Sequence, residues 1–277
     1  MNTNLKTISF DYDPSDQSLF DEYQKIHWEN IQRSYEKLGS LCLDQVHIPI
    51  SASHRDWISA RVNQHATASL MRLLYLVESF RDAAKKFNAG AAAVHVKAMA
   101  EIPFHLGYLV WILAKHSDFQ SIKEELGKIA FGDREKKTGL TARSKISQKT
   151  FYQIGDKMIR EFFKDNPKQI NMLEWIYKEA NATGHHNYEA RMLVGLQNNG
   201  TWKAKDRKES FVFYSNNIFQ FLLNCDVILV TSSIFMDALE HYLSNLPEFL
   251  PEKSSETTVQ KIKRIVFNVF NKLWRKK

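Results

Sequence analysis

Three polar side chains interrupt the most apolar stretch of this 277-residue chain, AAAVHVKAMAEIPFHLGYLVWIL: Lys97, Glu101 and His105. Their spacing of four sets them one above another on a single helix face. Burying such a row is costly unless its members pair with each other or with groups opposite. Two arrangements meet that demand. One is a structural Lys97–Glu101 ion pair that orders the core; the other is a polar pocket lined by Lys97, Glu101 and His105. The natural partner for a pocket is NATGHHNYEAR, Asn181 to Arg191. Gly184 should stop a helix there, so that His185 and His186 face whatever that helix end approaches. Adjacent imidazoles near Glu101, with Arg191 close by, could act as acid and base. The same histidines could equally form a solvated helix cap. The catalytic candidates are therefore His185, His186, Glu101 and Arg191. The pocket reading expects Lys97, Glu101 and at least one of His105, His185 and His186 within hydrogen-bonding reach.

A second kind of chemistry sits at the end of the chain, VQKIKRIVFNVFNKLWRKK. Val259 to Lys277 holds seven cations and no acid. The chain has 38 Lys and Arg against 31 Asp and Glu; taking away these seven leaves 31 against 31, so the net charge of +7 belongs to this segment. Val259, Ile262, Ile265, Val266, Val269, Phe270 and Leu273 follow a helical stripe, with Trp274 at its edge. Lys261, Lys263, Arg264, Lys272 and Arg275 fall on the other face. Such a helix suits an anionic membrane surface, with its apolar face down and its cations at the headgroups. It also suits a protein partner's groove, or the last position in a bundle with a solvated basic face. Phosphate contacts to RNA are a further use of the same charge. The membrane reading implies a cytoplasmic protein with a peripheral place at the inner face of the membrane.

Known catalytic templates are missing. The chain has no His-Glu-x-x-His, no Walker loop, no Gly-x-Ser-x-Gly, no Gly-x-Gly-x-x-Gly and no Glu-x-x-His for a di-iron bundle. Cys42 and Cys225 stand alone, which fits a reducing cytosol. No metal or other cofactor is expected. The N-terminus, MNTNLKTISFDYDPSDQ, has no apolar core of a secretory signal. Val94–Leu113 and Ile218–Met236 are apolar, yet the second carries Gln220, Asn224 and Asp226. An aspartate near a bilayer centre costs roughly 2.5–3.5 kcal/mol, so both read as buried helices.

Apolar residues recur at helical spacing almost throughout, and only ten Gly and six Pro interrupt them. The pattern predicts an all-α protein, an irregular multi-helix bundle with a basic amphipathic helix at its C-terminus. Helices are expected from Ser18 to Gly39, from a Ser53-x-x-Asp56 cap to about Phe87, and from Ala91 to Lys115, kinked by Pro103. Others follow at Asp118–Ile129, Ser147–Lys164, Asn166–Asn181 and Phe211–Leu243. Asn199-Gly200 signals a tight turn between short strands at Met192–Leu196 and Thr201–Lys203. The division is a bundle over 1–245, a linker over 246–258 and the terminal helix over 259–277.

The chain resembles a group of uncharacterised bacterial all-helical proteins related to abortive-infection and HEPN-like domains. Those have an Arg-x-x-x-Glu helix followed by an aromatic-aliphatic run, then a downstream His-containing turn, often His-Pro. VKAMAEIPFHLGYLVWIL resembles the first element, with Lys97 in place of Arg, and ATGHHNYEARMLVG the second, with His186-Asn187 in place of His-Pro. HEPN ribonucleases carry Arg and His with four to six residues between them; the nearest approach is Arg61-x-x-x-His65, one residue short. The resemblance implies bacterial stress or phage defence. Two functions follow as expectations: association with a membrane or partner through the terminal helix, or a HEPN-like ribonuclease centred on His185 or His186.

Overall fold

A computed structural model describes residues 22–47, 53–86, 88–131, 148–184, 195–198, 201–204 and 218–251. The helices are α1 (Glu22–Ser40), α2 (His54–Lys85), α3 (Ala89–Ala100), α4 (Ile102–Lys115), α5 (Phe119–Phe131), α6 (Gln148–Phe162), α7 (Pro167–Gly184) and α8 (Ile218–Ser244). Strands β1 (Gly195–Asn198) and β2 (Thr201–Ala204) form an antiparallel hairpin that pairs Asn198 with Thr201. The protein is all-α, as its periodicity predicts.

Local chemistry sets where the helices begin. The Ser53 hydroxyl accepts the Asp56 N–H at 3.1 Å, the Asn88 side chain that of Ala91 at 3.1 Å, and the Asp118 carboxylate that of Ser121 at 2.8 Å. Each satisfies a donor that the first helical turn leaves without a partner. Pro167 opens α7, where a missing N–H costs nothing. The stretch expected as one kinked helix divides at Glu101, directly before Ile102-Pro103. Proline lacks the donor for the preceding turn and crowds its carbonyl.

The apolar faces meet in one core. α1 contributes Trp28, Ile31, Tyr35 and Leu38; α2 contributes Ile58, Val62, Leu70, Leu73, Val77 and Phe80. α4 is buried on nearly every side and packs on α2, α5, α6 and α8. It approaches α6 tightly at Gly155, where a Cβ would lie 2.6 Å from the Phe104 carbonyl oxygen. Ala89–Lys115 is long and apolar enough to cross a membrane, but 72% of its most apolar window is buried within the bundle.

α1 and α8 pack along their lengths. His27 meets Asp226 and Lys37 meets Asp237, offsets of 199 and 200 residues, so these two helices run parallel. Beyond α8 the first part of the expected linker lies along the bundle. Glu248 accepts the Arg55 N–H and Pro251 the Phe119 N–H, at 3.2 and 3.1 Å, while the Leu250 side chain is buried. The remainder of the linker and the terminal segment 259–277 lie outside the described residues, so Lys261, Lys263, Arg264, Lys272, Trp274 and Arg275 have no structural account.

Candidate functional site

Lys97 near the end of α3 and Glu101 at the α3–α4 junction are half-buried, and each engages a partner. His105, one turn into α4, faces aromatic surface: its ring centroid lies 4.9 Å from that of Phe151 on α6. Burial, and then the positive charge of Arg72 on α2, push its pKa down to about 4. His105 is thus neutral at pH 7 and behaves as a core imidazole. Among the described residues it is tied to Glu101 through the helical backbone bond, His105 N–H to Glu101 carbonyl at 3.3 Å. His185, His186 and Arg191 lie outside the described residues.

Arg61 and His65, the pair nearest to the nuclease spacing, share one face of α2. Arg61 donates to the Gln64 amide oxygen at 3.1 Å and lies over the Trp57 ring. His65 has a buried Nε2 without a hydrogen-bond partner, and burial together with Arg61 lowers its pKa.

The group best arranged for proton chemistry was not among the sequence candidates. Asp226 sits in α8 between Cys225 and Val227, all three buried. One carboxylate oxygen meets His27 Nδ1 at 2.5 Å and accepts from the Asn30 amide at 3.4 Å; the other is buried with no hydrogen-bond partner. Burial raises the Asp226 pKa, and the bonds from His27 and Asn30 oppose that rise. The His27 side chain remains 17% exposed, so the pair reaches the surface through its imidazole. A carboxylate on Nδ1 fixes a histidine's tautomer and orientation, as in acid–base dyads. The signal for this site was Asp226 itself: an acid within an apolar helix requires a buried donor. Nothing local could identify that donor, because it arrives from 199 residues upstream.

A third polar cluster closes the α4–α5 corner. Tyr108 donates to Glu125 at 2.7 Å, and Lys128 donates to the other Glu125 oxygen at 2.6 Å. Burial and the Glu125 bond raise the Tyr108 pKa. Burial alone would raise Glu125, yet the bonds from Lys128 and Tyr108 hold it below its ordinary value. Trp111 stacks on Tyr108 and meets the His116 ring edge-on. These contacts explain a structural junction, with every Glu125 oxygen satisfied. Among the described residues no group of three or more His, Cys, Asp or Glu side chains is placed to hold a metal.

Comparisons with protein families, curated proteins and solved structures find no match to this chain.

Proposed function

We propose that the protein acts by association: its helical bundle is a scaffold, and residues 259–277 bind an anionic membrane surface. The observation that carries this reading is the charge partition. The terminal segment holds seven cations and no acid, while the preceding 258 residues balance 31 against 31. Support also comes from the anchoring of residues 246–251. Backbone bonds to Arg55 and Phe119 hold the chain up to Pro251, beside a Phe249 ring that is 64% exposed. Pro251, the last described residue before the terminal segment, is thus fixed to the bundle.

The test compares the full chain with one ending at Thr258, by pelleting with phosphatidylglycerol-containing vesicles and by thermal unfolding. The full chain should pellet and the shorter chain should not, with similar melting temperatures. Binding should weaken as salt shortens the screening length from about 10 Å at 0.1 M to about 3 Å at 1 M. Equal pelleting by both chains would refute the reading.

A second reading, a ribonuclease, draws support from the His27–Asp226 pair, which could hold a general base in place. RNA cleavage lost in His185→Ala or His186→Ala would assign the chemistry to the predicted turn, with Glu101 and Arg191 as its partners. Loss in His27→Gln instead would assign it to the dyad, and absence of cleavage in the full chain would remove this reading.

A further inference from the structure

A cleft of about 480 Å³ opens between α2, α8 and the end of α1. That size lies within the range of small-molecule sites. One wall is a polar row from α2: Arg55, Ser59, Asn63 and Thr67, each four residues from the last and so on one helix face. Twelve residues at 1.5 Å rise make the row about 18 Å long. The opposite wall, from α8, presents Leu239 among other apolar side chains, with Glu240 beside it.

Among the described residues none of the four side chains of this row takes part in a hydrogen bond or ion pair. Thr67 is the telling member, since it is only 8% exposed. A buried helical threonine ordinarily returns its hydroxyl to the carbonyl four residues back, as Thr231 does to Val227 at 2.6 Å. Thr67 makes no such bond among the described residues, so its hydroxyl is free to engage an occupant of the cleft.

We propose that this cleft is a binding site for a small amphiphilic anion with a single negative charge. Its apolar chain lies on the α8 wall, its acid group pairs with the Arg55 guanidinium, and polar atoms along it engage Ser59, Asn63 and Thr67. Among the described residues the guanidinium is the one cation lining the cleft, and it matches a carboxylate in a bidentate pair. Glu240 lines the same space and would repel a second negative charge. The site lies wholly in the described bundle and does not depend on residues 259–277.

Titration calorimetry of the full chain with sodium decanoate tests this. Saturable one-to-one binding is expected, weakened about 10-fold in Arg55→Gln, the magnitude of one lost charge-assisted bond. Ser59→Phe should fill the cleft and remove binding. Decanol, which lacks the charge, should bind the parent chain about as weakly as decanoate binds Arg55→Gln. Arg55 is exposed, so its variant should melt like the parent, and the test stands even if Ser59→Phe fails to fold. Absence of saturable binding overturns the proposal. So does decanoate binding that survives Arg55→Gln undiminished, the outcome expected if the basic terminal segment captures the anion.

Discussion

The glycines of this bundle form a graded series whose substitution by alanine can be ranked from the structure. At Gly155 a Cβ would lie 2.6 Å from the Phe104 carbonyl oxygen and 2.7 Å from its Cα. Both are backbone atoms of α4 and cannot rotate away. Restoring ordinary contact near 3.4 Å requires α4 and α6 to separate by about 0.8 Å, and a gap of that size forfeits a quarter to a half of each affected contact. The separation would loosen Phe104 against Tyr152 and Tyr108 against Phe151. Overpacking of this kind costs up to about 3 kcal/mol, against a helix-propensity gain of about 1 kcal/mol. A net loss of about 2 kcal/mol should lower Tm by roughly 4–8 °C. At Gly107 the nearest atom is the Phe235 ring edge at 3.2 Å, which can shift, so a smaller loss is expected. Gly39 and Gly90 have nothing nearer than 3.9 Å and should gain up to about 1 kcal/mol. Circular-dichroism melts of the four variants check the order. A Gly155→Ala chain that melts at or above the parent temperature would refute the close packing of α4 on α6.

Three further outcomes follow from the polar groups. His105, with a folded pKa of about 4 against about 6.5 when unfolded, binds its proton more readily in the unfolded chain, so stability falls as pH drops from about 6.5 toward 4. His105→Gln should remove about 2–3 kcal/mol of the loss between pH 7 and pH 4.5 in urea titrations. Asp226, raised by burial, has the opposite slope, so the readout is the difference between the two profiles. Asp226→Ala should cost about 3–5 kcal/mol by leaving His27 and Asn30 without their acceptor, and a double-mutant cycle with His27→Ala should recover a coupling above about 1 kcal/mol. His54→Ala removes a ring stacked 4.0 Å from Phe119 and bonded to the Leu250 backbone; hydrogen exchange at Leu250 and Phe119 should speed up while the α4 amides stay protected.

What the sequence made legible was periodic or local. Apolar spacing located the helices, Ser53 marked the start of α2, Pro103 placed the interruption before α4, and Asn199-Gly200 located the hairpin. β1 runs to Asn198, two residues past its expected end, because alternating polarity over four or five residues bounds a strand poorly; Met192 to Val194 lie outside the described residues. Long-range polar chemistry was not legible. The four-residue spacing of Lys97, Glu101 and His105 predicts a common helix face, but spacing does not reveal that Phe151 lies opposite His105. The polar row of α2 is hard to read from sequence for a related reason. Ser, Asn and Thr at four-residue steps look like a solvated face until the wall across from them is seen to be α8.

The His27–Asp226 pair bears on how a nearly uniform apolar helix finds one position. α8 is apolar on most of its surface, with Val227, Ile228, Leu229, Phe235 and Ala238 all buried, so hydrophobic burial alone would tolerate several rotations and slips against α1. Two polar contacts exclude them. His27 to Lys37 spans 10 residues of α1 and Asp226 to Asp237 spans 11 of α8, about 15 and 16 Å of helix, so both contacts close together only in the parallel arrangement observed. The exposed Lys37–Asp237 pair contributes little energy by itself. The buried pair is different, because a slip of one turn would strand a carboxylate among apolar side chains, at a cost larger than the burial regained. Asp226 therefore has a structural role whether or not His27 also carries protons. That is why loss of RNA cleavage in an Asp226 variant could not assign catalysis, whereas His27→Gln, which keeps a hydrogen-bond donor for the carboxylate, can.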